Sequence, residues 1–246
     1  MVNRCLTLAP SVAVFAVVAL ALAGCSEPSR LNGACLAGDV VKCVRLADMY
    51  AEGRGVARDE GRAADLYQRA CEAGMAGVCN TVGLLYEHGA GVTGDSRRAL
   101  EYFEKACNGG DLAGCLNLAR AFSEQQDYAR AALLYEKVCE SGAAEGCSRL
   151  ALAYERGEGV TASLPRAVEL YEKACGIGEA GSCGLLATMY AAGGRVARDM
   201  DQAMAFYRKA VELRQKACDG GSDTDCTELE RLRTRMAIVQ APQTPR

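Results

Sequence analysis

The chain has 246 residues, of which 50% are apolar and 24% are charged, and its formal net charge is −3. This is enough apolar sequence for one or two cores, and so mild a charge gives no reason to expect nucleic acid as a partner. A single histidine, His88, beside fourteen cysteines excludes histidine-rich zinc sites and every other chemistry that needs two histidines.

Residues 1–24 have the features of a secretory signal peptide. The basic Arg4 is followed by the apolar run 12–23. That run is too short to span a bilayer comfortably and has no flanking basic stop, so a transmembrane anchor is the weaker interpretation. A chain exported in this way reaches a compartment where disulfides persist.

The leader ends in a sequence that resembles a bacterial lipobox, Leu22-Ala23-Gly24-Cys25. In lipoproteins of this kind, cleavage before the cysteine leaves its thiol acylated, and several acyl chains give stable anchoring. The next residue is Ser26 rather than Asp, which implies sorting to the outer membrane. We therefore expect residues 25–34 to form a lipidated tether and the protein to face the periplasm or the cell surface. A Cys25 that is not acylated would instead favour secretion toward host or neighbouring cells.

Apart from Cys5 and Cys25, the cysteines form six pairs whose members are eight positions apart. The pairs are Cys35 with Cys43, Cys71 with Cys79, Cys107 with Cys115, Cys139 with Cys147, Cys175 with Cys183, and Cys218 with Cys226. Many connectivities are formally possible, but the repeated local spacing in an exported chain favours six local disulfides. Zinc is a poor alternative, because each pair supplies two ligands and no repeated histidine completes four. We therefore predict no metal and no cofactor.

The first cysteines of successive pairs lie 36, 36, 32, 36 and 43 residues apart, a period typical of a helical solenoid. After each of the first five pairs, an apolar, a small and an aromatic residue follow at offsets of three, four and seven, as in Leu46, Ala47 and Tyr50. These offsets mark one face of an α-helix. A Gly-x-Gly-Val turn then follows in most copies. The predicted N-caps of the next helices are Asp59, Asp95, Ser163 and Asp199.

A second helix in each repeat is predicted by the pattern Ala-x3-[Tyr/Phe]-x2-[Ala/Val], as in Ala63, Tyr67 and Ala70. A glycine three residues after each first cysteine is the expected stop of this helix, because glycine adopts the left-handed conformation at little cost. These glycines are Gly38, Gly74, Gly110, Gly142, Gly178 and Gly221. Each cysteine pair would then join the end of one helix to the beginning of the next.

Two repeats depart from the common length. The third is four residues short and has residues 123–127 in place of the Gly-x-Gly-Val turn. The fifth is seven residues longer, with Val211 at the cysteine position and Cys218 nearly two helical turns later. We predict one extended helix there rather than a broken repeat.

This pattern resembles the Sel-1-like repeat, a relative of the tetratricopeptide repeat, with cysteine in place of the signature tryptophan. More specifically, it is similar to the disulfide-stapled branch known as the Helicobacter cysteine-rich proteins. The resemblance covers residues 35 to about 233 and implies an all-α fold, a right-handed α/α superhelix of about five helix-turn-helix repeats over 35–238. We expect its C-terminal end to be a polar capping helix and residues 239–246 to be a loose tail.

The resemblance also implies a concave groove that binds a partner. In tetratricopeptide-like solenoids, first-helix residues half a turn from the signature face away from the second helix and line this groove. Here they mix apolar and charged side chains, which suits a protein or peptide element in the cell envelope. A solvated face with incidental leucines is the alternative. The candidate partner-binding residues are Val44, Asp48, Asn80, Leu84, His88, Leu116, Arg120, Leu152 and Arg156.

Enzyme activity is the remaining alternative, since some cysteine-rich relatives have been described as penicillin-binding proteins or β-lactamases. The sequence has no S-x-x-K and no K-T-G, and its nearest approach to S-D-N is Ser222-Asp223-Thr224. We therefore predict no catalytic residue, and we expect the lone His88 to lie at the surface. The expected function is a non-catalytic envelope scaffold, and the second candidate is binding of a β-lactam or peptidoglycan fragment with weak β-lactamase activity.

Overall fold

A computed structural model describes residues 26–240, in which twelve helices and no strand occur. The predicted signal peptide, the acylation site Cys25 and residues 241–246 lie outside the described residues. The helices are α1 (Glu27–Leu36), α2 (Val40–Glu52), α3 (Glu60–Glu72), α4 (Ala76–His88), α5 (Ser96–Asn108), α6 (Leu112–Glu124), α7 (Tyr128–Glu140), α8 (Ala144–Arg156), α9 (Leu164–Ile177), α10 (Ala180–Ala192), α11 (Met200–Asp219) and α12 (Asp223–Gln240). The prediction of an all-α fold of helix-turn-helix repeats is confirmed.

The chain divides into two compact units between Gly114 and Cys115. The core of the N-terminal unit includes Leu31 and Cys35 of α1 and Leu46 of α2, which are 6%, 6% and 1% exposed. Helix α1 thus occupies most of the segment expected to be a tether, and it packs on the first repeat. The core of the C-terminal unit is built from the paired small and aromatic residues of α6 to α12, with Tyr171 the largest fully buried side chain.

Side-chain caps begin the second helix of the repeats. The Asp59 carboxylate accepts a hydrogen bond from the Arg62 backbone N–H at 3.0 Å. Such a cap satisfies an N–H group that has no partner within the helix and contributes about 1 kcal/mol. The other three predicted caps, Asp95, Ser163 and Asp199, accept in the same way, so all four are confirmed.

Glycines serve two different purposes in the turns. All six predicted stop glycines have positive φ, and at Gly142 (φ +85°) an added Cβ would meet nothing within 4 Å. Here only the backbone conformation requires glycine. At Gly159 (φ +74°), the second glycine of a Gly-x-Gly-Val turn, an added Cβ would lie 2.0 Å from the Tyr128 carbonyl oxygen. That turn therefore packs directly on the backbone at the beginning of α7.

The irregular repeats are accommodated locally. The short third repeat turns through Gln126, whose φ of +63° makes it the one non-glycine residue with positive φ in the range 26–240. Asp127 then caps α7 through the Arg130 N–H at 3.1 Å. In the long fifth repeat α11 runs unbroken over 20 residues, which confirms the extended helix.

Disulfides join the end of one helix to the beginning of the next. In five of these bridges the two cysteines are eight residues apart in sequence, and their Cα atoms lie 4.4 to 4.8 Å apart, within the usual range for disulfides. These are Cys35–Cys43, Cys71–Cys79, Cys139–Cys147, Cys175–Cys183 and Cys218–Cys226. Cys107 and Cys115 are disulfide-bonded as well, so no described cysteine is free.

A cation–π pair joins the two helices within several repeats. The Arg62 guanidinium carbon lies 5.5 Å from the centre of the Tyr50 ring, and Arg62 also donates to the Tyr50 hydroxyl at 3.2 Å. The corresponding distances are 5.1 Å for Arg98 on Tyr86 and 4.1 Å for Arg130 on Phe122. Contacts of this kind contribute about 0.5–1 kcal/mol at exposed sites. They fix the aromatic end of one helix against the first turn of the next.

Candidate functional site

One of the candidate partner-binding residues on the first helices of the N-terminal unit contacts the second helix of its own repeat. Asp48 on α2 accepts a hydrogen bond at 2.6 Å from the hydroxyl of Tyr67 on α3. The expectation that this position faces away from the second helix is therefore wrong for Asp48, because the long tyrosine side chain reaches past the helix contact. Burial, together with the hydrogen bond to Asp48, raises the pKa of Tyr67 above its ordinary value.

The other candidates in the N-terminal unit differ in exposure. Val44, Asn80 and Leu84 are half-buried along α2 and α4. His88 stands at the end of α4 with 69% of its side chain exposed, and its Nε2 lies 3.9 Å from a carboxylate oxygen of Glu87. His88 therefore lies at the surface, where we expected it.

In the C-terminal unit the four candidates occupy different environments. Leu116 packs against the core, and Arg120 donates to Glu124 at 2.9 Å within α6. Leu152 and Arg156 of α8, by contrast, line a cavity of about 140 Å³ between α7 and α8. The cavity is therefore the place where the structure brings predicted partner-binding residues together with side chains from another helix.

The α7–α8 pocket, as we call this cavity, combines a small apolar floor with polar edges. Ala131 and Ala132 of α7 and Ala153 of α8 contribute methyl groups. Polar groups come from the hydroxyls of Ser123 and Tyr135, the guanidinium groups of Arg149 and Arg156, and the carboxylate of Glu158. Sequence reasoning missed the contributions of α7 and Arg149. The adjacent pair Ala131-Ala132 was the available signal, since small residues leave space between helices.

The buried aromatic residue of the second helix is a tyrosine in four of the five repeats, and the partner of its hydroxyl differs among them. Tyr171 donates at 2.9 Å to Glu155, which also forms an ion pair with Arg195 in the following repeat. Burial and this hydrogen bond raise the pKa of Tyr171. The Tyr135 hydroxyl, in contrast, lies 3.5 Å from the Ser123 hydroxyl, which is long for an O–H···O hydrogen bond. Ser123 itself donates to the Ala119 carbonyl at 3.0 Å.

Other hollows also occur within the units, and two of them are edged by arginines that hold known contacts. One, of about 450 Å³, lies among α1, α2 and α3 and is edged by Arg62 and Arg69. The other, of about 190 Å³, lies between α10 and α12 near Thr188 and Arg214. Two of their arginines have structural partners, since Arg62 contacts Tyr50 and Asp59, and Arg214 pairs with Asp225.

The serine of the S-D-N-like sequence has a structural role at the start of α12. Its hydroxyl donates to Asp225 at 2.5 Å and accepts from the Asp225 backbone N–H at 3.3 Å. Ser222 is thus an N-cap. Over residues 26–240, no three side chains of His, Cys, Asp or Glu gather as a metal site. In the same range, no helix is both long enough and apolar enough to cross a bilayer.

Comparison with known proteins agrees with this architecture. The model of the Sel1 repeat matches residues 43–75, 79–111, 113–142, 144–178 and 180–214. The chain belongs to the Sel1 repeat family. The five matches each cover most of one helix pair, from α2–α3 to α10–α11, and α1 and α12 lie outside the matched residues.

Two solved structures are similar in fold. One is a protective antigen of uropathogenic Escherichia coli strains, described as displaying an SLR fold, with 24% identity and a TM-score of 0.67. The similarity covers 83% of this chain and 51% of the E. coli protein, so this chain spans about half of that protein's length. The other is a Sel1 repeat protein from Oxalobacter formigenes, with 22% identity, a TM-score of 0.66, and coverage of 78% and 79%. No curated protein matches the sequence.

Proposed function

We propose that this Sel1 repeat protein is a non-catalytic scaffold of the cell envelope that binds a protein or peptide partner through the first-helix face of its repeats. The observation that carries this proposal is the α7–α8 pocket, where Leu152 and Arg156 meet apolar and polar side chains of the preceding helices. A small apolar floor with a few convergent polar groups is typical of a site that holds a peptide side chain.

The envelope location rests on the leader and the cysteines. The first 25 residues contain the basic Arg4, an apolar run and a lipobox-like sequence, and the described cysteines are all disulfide-bonded. Disulfides persist outside the cytoplasm. Together these features support an outer-membrane lipoprotein of the cysteine-rich branch, acylated at Cys25. Mass spectrometry of the mature N-terminus tests this, and an unmodified Cys25 on a soluble product would contradict it.

The scaffold role is tested by capturing partners from cross-linked envelopes with the native protein and with two variants. Leu152→Glu places a charge in the α7–α8 pocket, whereas Leu133→Glu, at a residue 66% exposed on the opposite side of α7, is the matched control. We expect one partner to be captured by the native and Leu133→Glu proteins and lost with Leu152→Glu. The purified partner must then bind the purified scaffold directly. Equal capture by all three proteins would contradict the proposal.

A further inference from the structure

The third repeat lacks a carboxylate that two other repeats hold against the same tyrosine. In the first repeat the buried tyrosine donates to Asp48, five residues after the second cysteine. In the fourth repeat it donates to Glu155, eight residues after the second cysteine. The third repeat carries Arg120 and Ser123 at these two positions. The fifth repeat also lacks the carboxylate, since its Tyr207 hydroxyl lies 3.4 Å from the hydroxyl of Thr188.

The Tyr135 hydroxyl is consequently a donor without a strong acceptor among the described contacts. It is 3.5 Å from Ser123, whose own proton is directed to the Ala119 carbonyl. The Tyr135 side chain lines the α7–α8 pocket, and the residue is 9% exposed. A partly buried hydroxyl donor gains more from a charged acceptor than from a neutral one, because hydrogen bonds to ionised groups are the strong ones.

The charges at the pocket favour an anion. Arg149 and Arg156 approach their own carboxylate partners, Glu145 and Glu158, at 3.4 and 3.7 Å. These separations are longer than the 2.7–2.9 Å of a well-formed charged hydrogen bond, so both guanidinium groups keep donors available. Glu158 is the one acidic residue of the lining.

The size of the pocket limits what can enter. Its volume of about 140 Å³ is well below the roughly 300–1,000 Å³ of a typical small-molecule pocket. One side chain with a few heavy atoms fits this space, and a folded element does not. A glutamate would place its methylene groups on Ala131 and Ala132 and its carboxylate at the Tyr135 hydroxyl.

We propose that the α7–α8 pocket binds a carboxylate of an acidic peptide segment, which supplies from the partner the acceptor that Asp48 and Glu155 supply within their own repeats. This inference rests on the proposed scaffold function and assigns the chemistry of its partner. The carboxylate belongs to an acidic side chain or to a chain terminus, and the test below separates the two.

Three probes test the proposal on the oxidised protein: acetyl-Ala-Glu-Ala-amide, acetyl-Ala-Gln-Ala-amide, and acetyl-Ala-Ala-Ala as the free acid. Binding is followed by NMR of the Ala131, Ala132, Ala153 and Leu152 methyl groups. We expect the glutamate peptide to shift these signals saturably and more weakly at high salt, and the glutamine peptide to leave them unchanged. If only the free acid shifts them, the carboxylate is that of a chain terminus. Equal shifts with the glutamate and glutamine peptides, or no shift with any probe, would overturn the proposal.

Variants locate the binding to the named groups. Tyr135→Phe should raise the dissociation constant of the glutamate peptide about tenfold, because it removes a donor to a charged group. Arg149→Gln should raise it about fivefold, as expected for an exposed charge, and Glu158→Gln should lower it. Arg166→Gln on α9, an exposed arginine paired with Glu169, is the control and should change nothing. Unchanged affinity in Tyr135→Phe and Arg149→Gln would place any binding elsewhere.

The two proposals can fail separately. If the envelope partner is captured through the first-helix face but the carboxylate probes leave the pocket signals unchanged, the scaffold function stands and the carboxylate assignment is wrong. If the probes bind and no partner is captured, the pocket chemistry stands and the scaffold function is wrong.

Discussion

Replacing the two kinds of turn glycine with alanine should separate backbone strain from steric contact. Gly142 and Gly159 have similar positive φ values, +85° and +74°. The Cβ of an alanine at Gly142 meets nothing within 4 Å, so the substitution costs only the strain of the left-handed conformation. Because alanine also restricts the unfolded chain, which favours folding, the net loss in the free energy of unfolding is about 1 kcal/mol. This variant therefore measures the conformational cost alone.

Alanine at Gly159 carries the same conformational cost and a steric one. Its Cβ would lie 2.0 Å from the Tyr128 backbone carbonyl oxygen, whereas an ordinary C···O contact is about 3.4 Å. The turn or the beginning of α7 must therefore move by more than ~1 Å. Overpacking of this kind costs about 1–3 kcal/mol. We therefore expect Gly159→Ala to lower the free energy of unfolding by about 2–4 kcal/mol, against about 1 kcal/mol for Gly142→Ala.

Urea unfolding followed by circular dichroism, with the disulfides intact, measures both variants. A second pair in the N-terminal unit repeats the comparison. An added Cβ at Gly91 would lie 2.2 Å from the Glu60 backbone carbonyl oxygen, whereas an added Cβ at Gly74 would meet nothing within 4 Å. Equal losses of stability within both pairs would refute the argument, because they would mean that the Gly-x-Gly-Val turn does not pack on the beginning of the second helix of the preceding repeat.

Four further predictions follow from single contacts. Tyr171→Phe should lower the free energy of unfolding by about 1.5 kcal/mol, because it removes a donor to the Glu155 carboxylate, whereas Tyr135→Phe should change it by less than about 0.5 kcal/mol. Thermal unfolding compares the two variants, and equal costs would contradict the description of the Tyr135 hydroxyl. Replacing both Cys139 and Cys147 with alanine should cost about 2.5 kcal/mol, the entropy of closing a short loop in the unfolded chain, and an unchanged urea midpoint would show that the bridge is dispensable. Gln126→Gly should raise the free energy of unfolding by about 1 kcal/mol, because glycine accepts the left-handed conformation that Gln126 adopts, and a loss of stability in the same assay would argue against that turn. The Ser222 hydroxyl and Arg214 hold the pKa of Asp225 below its ordinary value of 3.8, so the contribution of Asp225 to stability is present above about pH 4 and is lost as the pH falls through the lowered pKa. Asp225→Asn should therefore reduce the dependence of stability on pH below about pH 4, as measured by unfolding at a series of acidic pH values.

The sequence was sufficient for the fold because the repeated residues act locally. Each cysteine pair, stop glycine and N-cap is decided within about ten residues of chain, and the copies can be compared with one another. Helix α1 could be compared with the other second helices only at its end, where Ala34 and Cys35 follow the repeat pattern, because Leu31 replaces the aromatic residue and Glu27 replaces the first alanine. Its signals were Pro28 in the first turn and the i, i+4 spacing of Leu31 and Cys35.

The candidate site could be predicted only in part, because it depends on contacts between helices. Periodicity placed Leu152 and Arg156 on one face of α8, and both line the α7–α8 pocket, but it could not show that Tyr135 and Ser123 line the same pocket. It also misplaced Asp48, since a helical wheel gives the direction of Cβ and not the reach of a tyrosine on the neighbouring helix. Hydrogen bonds between residues 16 to 19 positions apart need the packed structure.

The repeats of this chain provide an internal standard for telling structural from functional polar groups. Where Asp48 and Glu155 accept from a buried tyrosine, the carboxylate satisfies a donor that the fold creates, and no partner is needed to explain it. Where the same tyrosine persists and its acceptor is replaced by Arg120 and Ser123, the fold retains the donor without an equivalent acceptor. The fifth repeat makes the same departure, since its Tyr207 hydroxyl lies 3.4 Å from the hydroxyl of Thr188. Tyr135 differs from Tyr207 in that it lines the α7–α8 pocket together with Arg149 and Arg156. A donor that lacks a strong acceptor costs free energy, so a carboxylate that enters this pocket would stabilise the protein.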